Sequence, residues 1–198
     1  MKKMYKAMLL VLCAMLLVAG SVMGTLAYLQ DKTDTVTNTM SVGKVEISLS
    51  ESKVNEYGEV VVGADPVIEN SYKLIPGLEY TKDPTVTVKA NSEACYVFVK
   101  VVNGIEDIEA DTTIADQISA NHWTALDGVT NVYYIGVSAA DAKAGKTLPV
   151  FGSFKIAPTA EYDDLDDFDK AKITVNAYAI QSEGFGSAKA AWVAANFS

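Results

Sequence analysis

Ala94-Cys-Tyr-Val-Phe-Val-Lys-Val-Val102 reads as an extended strand with two apolar faces. Alternation puts Cys95, Val97, Val99 and Val101 on one side and Tyr96, Phe98 and Val102 on the other. A strand apolar on both faces belongs in the middle of a fold, covered by a layer on each side. Lys172–Gln181 has the same character, with Ile173, Val175, Ala177 and Ala179 set against Thr174, Tyr178 and Ile180. Further out the pattern becomes half-buried. Lys44–Leu49 alternates strictly, Val45, Ile47 and Leu49 against Lys44, Glu46 and Ser48, and Thr85–Lys89 turns Val86 and Val88 inward. Val60–Val62, Val67–Leu74, Asn131–Val137 and Leu148–Ile156 are shorter strand candidates.

Turn chemistry falls between these runs, at Pro66, Pro76-Gly77, Asp83-Pro84, Asn103-Gly104, Asp127-Gly128, Pro149, Gly152 and Pro158. Short strands with turns between them predict an all-β fold, an antiparallel β-sandwich. Helix is minor. Thr113–Ala120 is one candidate. Ser187 reads as the N-cap of another over Ala188–Asn196, where Ala188 and Trp192 stack at i, i+4. Without an internal repeat or a Pro-, Gly- or Ser-rich linker, 198 residues are read as one domain behind an N-terminal targeting segment.

That segment is residues 1–27. Lys2, Lys3 and Lys6 make a positive start, Ala7 to Ala19 is a 13-residue apolar run, and Thr25-Leu26-Ala27 places small residues at the −3 and −1 positions of a cleavage site. The expected cut lies between Ala27 and Tyr28, leaving 28–198. The alternative is a retained anchor, since Ala7–Ala27 approaches the roughly 20 residues that span a bilayer. Cys13 lies in mid-run and reads as one apolar residue of the signal. On the signal reading the chain touches membrane only before cleavage and is secreted.

Composition narrows the chemistry. The 16 basic residues are all Lys, against 25 Asp and Glu, for a net charge of −9. Removing 1–27 takes away three Lys and no acid, which leaves net −12. An acidic, Arg-free chain with scattered Lys lacks the cationic patch that nucleic acid requires, so no such partner is expected. The one His, His122, excludes two-His zinc motifs, and two Cys exclude a disulfide framework. Cys95 and His122 are the one conceivable nucleophile–base pair. Cys95 stands in an apolar strand where burial would quiet it, and no Gly-x-Ser-x-Gly exists, so the chain is read as non-enzymatic. The run from Glu161 to Asp169 carries six carboxylates without the spacing of an EF-hand loop. A solvated loop pinned by Leu165 and Phe168 is the preferred reading and calcium the alternative; no other cofactor is expected.

Tyr28–Met40, YLQDKTDTVTNTM, is polar, Thr-rich and β-prone, with few apolar residues (Tyr28, Leu29, Val36, Met40) to anchor it. It reads either as the first edge strand of its own domain or as a donor strand for the exposed edge of a neighbouring subunit.

Gly24-Thr-Leu-Ala-Tyr-Leu-Gln-Asp31, Thr35-Val-Thr-Asn-Thr39 and Val42-Gly-Lys-Val-Glu-Ile47 resemble the N-terminus of the TasA/camelysin family. Ile75-Pro-Gly77, Lys82-Asp-Pro-Thr-Val-Thr-Val88, Cys95-Tyr-Val-Phe-Val99, Ile173–Gln181 and Gly184-Phe185 extend the likeness over most of the chain. The resemblance implies export with cleavage after Ala27 by a SipW-type signal peptidase, a jelly-roll-like sandwich, and a place in the extracellular matrix or on the surface of a Gram-positive bacterium. It further implies biofilm-matrix fibres in which the mature N-terminus inserts into the next subunit, so that the partners are copies of the chain or related matrix proteins. Head-to-tail contacts of that kind give open filaments. Two other readings stand beside it: an exported carbohydrate- or surface-binding module that does not polymerise, using exposed Tyr, and a camelysin-like metallopeptidase, which a sole His disfavours.

Overall fold

A computed structural model of the chain describes residues 5–6, 44–160 and 172–197. The chain divides into two units, Met1–Ser41 and Val42–Ser198. Of the first, only Tyr5 and Lys6 are described, in helical conformation. The second carries everything below.

It is an all-β unit of antiparallel strands with a few short helices. The strands in chain order are β1 (Ile47–Ser50), β2 (Glu79–Thr81), β3 (Thr85–Val88), β4 (Cys95–Asn103), β5 (Thr124–Ala125), β6 (Val132–Val137), β7 (Lys146–Pro149), β8 (Ser153–Lys155) and β9 (Ile173–Gln181). Among the described residues they form three sheets, ordered β1-β3-β7, β2-β8 and β5-β6-β4-β9. The helices are α1 (Ile114–Ala120), α2 (Ala139–Ala144) and α3 (Ala188–Ala195), with a 3-10 turn at Glu106–Ile108.

The strand apolar on both faces, β4, is an inner strand of the four-stranded sheet. β4 pairs with β6 on one side and with β9 along its whole length on the other. Its inner face is buried as expected, with Cys95, Val97 and Val99 fully enclosed and Val101 nearly so. These side chains share one core with Val86 and Val88 of β3, Leu148 of β7, Tyr80 of β2 and Phe154 of β8, so all three described sheets contribute to one apolar interior.

The other face of β4 carries a second core. Phe98 is fully buried between Tyr134 and Tyr178, its cross-strand neighbours on β6 and β9. α3 closes over them. Trp192 packs its ring 5.2 Å from Phe98 and edge-on at 5.6 Å to Tyr178. Ala188 and Ala191 are the small residues that let the helix lie close to the sheet. The ends of α3 follow its sequence signals: Ser187 Oγ accepts from the Ala190 N–H, and Asn196 closes the helix in the left-handed region at φ 54°. α1 begins with a capping box, in which the Thr113 hydroxyl accepts from the Asp116 N–H and the Asp116 carboxylate accepts from the Thr113 N–H. Ile114 and Ile118, one turn apart, enter the inner core.

Three expectations are corrected. Val60–Val62 and Val67–Leu74 do not form strands; they contribute the isolated bridges Val54–Val60 and Glu51–Val67 to a long excursion between β1 and β2. Leu148–Ile156 is not one strand. It divides at Val150–Gly152 because β7 pairs with β3 while β8 pairs with β2 in another sheet. At the crossing the Gly152 N–H donates to Gln117 Oε1 and its carbonyl accepts from the Lys82 N–H. β2 and α2 carried no sequence signal strong enough to predict them. β2 exists because Tyr80 is fully buried, stacked at 5.0 Å on Phe154 of the paired strand.

Gly58 holds the excursion against β2. It adopts φ +80°, and a Cβ there would lie 2.6 Å from Tyr80 Cα. Only glycine fits both the backbone conformation and the approach.

Candidate functional site

Polar side chains concentrate where the excursion leaves β1 and where β2 hands over to β3. Glu51 is tied to Val67 by two backbone hydrogen bonds of 2.8 Å, which turn its side chain inward. There its carboxylate meets Lys82, with Nζ 2.7 Å from Oε2, and the two side chains are only 5% and 12% exposed. Asn70 completes the group. Its Nδ2 donates to Glu51 Oε1 at 2.9 Å and to the Ser52 carbonyl at 2.8 Å, while its Oδ1 accepts from the Val54 N–H at 3.1 Å. Two donors and one acceptor set the orientation of the amide.

A second carboxylate lies alongside. Asp83 accepts from the Ser52 N–H at 2.7 Å and from Ser52 Oγ at 2.6 Å. Tyr72 covers this region, and its hydroxyl donates to the Thr81 carbonyl. Burial, reinforced by the charges of Glu51 and Asp83, pushes the Tyr72 phenol far above its ordinary range, so it stays protonated. Among the described residues every buried side-chain polar atom has a partner. A buried ion pair holds only when its remaining atoms are satisfied in this way, and loss of one partner costs about 3–5 kcal/mol.

The outer side of the same excursion is apolar. Val62 is 95% exposed and Ile68 90%, with Val60, Val61 and Tyr57 partly exposed beside them. A groove of about 310 Å³ runs along β8, lined by Glu79, Asp111, Gln117, Ser153 and Lys155. Its polar groups are already engaged with one another: Lys155 Nζ lies 2.7 Å from Asp111, Ser153 Oγ donates to Glu79, and Gln117 Oε1 accepts from the Gly152 N–H.

Cys95 and His122, the one conceivable nucleophile–base pair, are not brought together. Cys95 is fully enclosed in the inner core, and desolvation pushes its thiol up to about 11. His122 follows the C-cap of α1 on an exposed turn at φ 66°, and no hydrogen bond joins it to Cys95. The cleavage pair Ala27 and Tyr28, the donor-strand residues Tyr28, Leu29, Val36 and Met40, and the acidic run from Glu161 to Asp169 lie outside the described residues. Glu51, Asn70 and Lys82 were not anticipated. They stand 19 and 31 positions apart from first to second and first to third, and no local spacing marks them as a group.

Comparison of the chain with family models, with curated proteins and with solved structures found no match.

Proposed function

We propose that the chain is a secreted structural protein of a bacterial biofilm matrix or cell surface, which builds or decorates fibres by donating Tyr28–Met40 as a strand to the next copy. The observation that carries this reading is the place of β9. It is nine residues long and forms one end of the described four-stranded sheet. An end strand of that length is where a further strand can be added, with main-chain hydrogen bonds supplying affinity and alternate side chains supplying register. The export signal expected in residues 1–27, the β-prone N-terminal segment and the net charge of −9 support the same reading, as does the likeness of the N-terminal junction to the TasA/camelysin pattern. On this reading the sheets that share the inner core form a jelly-roll-like sandwich.

Sedimentation velocity across a concentration series tests it, with residues 28–198 run beside a shortened chain starting at Thr39. Growth into large species by the longer chain alone is the expected result. If both chains stay monomeric and folded, strand donation is refuted and a non-polymerising surface-binding module is the better account.

A further inference from the structure

The Glu51–Asn70–Lys82 group has more in it than a buried ion pair. One carboxylate holds an amine on one oxygen and a primary amide nitrogen on the other, at 2.7 and 2.9 Å. The amide carbonyl is polarised by the Val54 N–H, and its nitrogen is oriented by two acceptors. Glu51 is buried, the Lys82 side chain is 12% exposed, and Asn70 is half-buried. This is the constellation an amide-forming reaction requires: a nucleophilic nitrogen, a carbonyl with a donor on its oxygen, a leaving nitrogen, and one proton carrier that reaches both nitrogens.

We propose that Lys82 and Asn70 join through an intramolecular amide bond between Lys82 Nζ and Asn70 Cγ, with Glu51 as the catalytic proton carrier. Lys82 Nζ gives a proton to Glu51 Oε2 across their hydrogen bond. The lone pair freed on Nζ attacks Asn70 Cγ, and the carbonyl electrons move onto Oδ1, where the Val54 N–H receives the developing charge. The tetrahedral centre collapses as the Cγ–Nδ2 bond breaks. Glu51 returns its proton to Nδ2 through Oε1 and relays the second proton shed by Nζ. A lysine ammonium and an asparagine amide thus become a secondary amide and an ammonium ion, and Glu51 ends as the carboxylate it began. No oxidant, metal or second substrate is consumed.

The bond also answers a structural need. The excursion between β1 and β2 has few ladder hydrogen bonds, and Cys95, free and enclosed in the core, offers no disulfide to tie it. A link from Asn70 to Lys82 closes the second half of the excursion onto the lead-in to β3. Cross-linking in this way stabilises by restricting the unfolded chain, the same logic as a disulfide.

Intact mass of the folded chain, measured after denaturation, is the test. The bonded chain is lighter than its sequence by one ammonia. Trypsin spares Lys82, since its amine is acylated, and releases residues 54–73 joined to residues 74–89. Lys82→Arg keeps the charge beside Glu51 and lacks the reactive amine; Glu51→Gln keeps the shape and removes the proton carrier. Both are expected at full sequence mass, with Lys82→Arg shown to be folded by circular dichroism. A wild-type chain that is folded and at full sequence mass overturns the proposal. A linked Glu51→Gln chain overturns the role given to Glu51. Neither result depends on whether the protein assembles.

Discussion

Trp192→Ala removes the ring that fastens α3 to the outer face of the four-stranded sheet. Trp192 is 7% exposed and meets Phe98, Tyr178 and Phe197 with ring centroids 5.2, 5.6 and 5.3 Å apart. Large aromatic truncations in such surroundings cost about 3–5 kcal/mol, the sum of lost transfer energy and the cavity left behind. For a domain of this size each kcal/mol lowers Tm by about 2–4 °C, so a fall on the order of 10 °C is expected. The remaining tryptophan makes the assay specific. Trp123 belongs to the inner core, and its Nε1–H donates to the Pro149 carbonyl at 2.8 Å. Below the transition its emission should stay blue-shifted in Trp192→Ala, because the inner core does not contain position 192. Urea unfolding followed by Trp123 fluorescence and by far-ultraviolet circular dichroism measures both quantities. A stability loss under about 1 kcal/mol would show that α3 is not held by this contact. A red-shifted Trp123 in the folded baseline would show that the two cores are not separate.

Gly58→Ala should cost about 2 kcal/mol or more in urea midpoint analysis, since the new Cβ meets Tyr80 Cα at 2.6 Å in a backbone conformation an L-residue resists. Glu109 lies half-buried between Asn103 and the start of α1, and desolvation raises its carboxyl pKa despite hydrogen bonds from the Ile114 N–H and the Asn103 amide. A raised acid favours the folded state while protonated, so its contribution is present at low pH and is lost as pH rises through the ordinary and then the raised carboxylate range. The Glu109→Gln stability profile should therefore lack that decline, and an identical slope in both proteins would refute it. Cys95, enclosed and with its thiol near 11, should resist iodoacetamide at pH 8 in the folded chain and react fully in urea, as read by mass.

Much of the framework was legible along the chain because its signals are local. β4 announces itself by apolar residues on both faces, and the structure puts it between two cores. Ser187 marks a helix start because a capping side chain bonds the backbone only three residues away. The failures share a cause. Val60–Val62 and Val67–Leu74 have the composition of strands, yet a strand needs a partner edge, and along the excursion only isolated bridges form. Leu148–Ile156 is apolar at Leu148, Val150, Phe151, Phe154 and Ile156, and although Pro149 and Gly152 mark a turn within it, nothing in those residues says that its halves pair with different sheets.

Periodicity and caps arise from contacts within a few residues, so composition, antiparallel β character, the two-faced strand and the terminal helix could be read directly. The meeting of Glu51, Asn70 and Lys82 could not. It depends on β1 pairing with β3, on the Glu51–Val67 bridge folding the excursion back, and on the closure of Gly58 over Tyr80. Long-range pairing places an amine, an amide and a carboxylate around one point, and burial then gives that arrangement its chemistry.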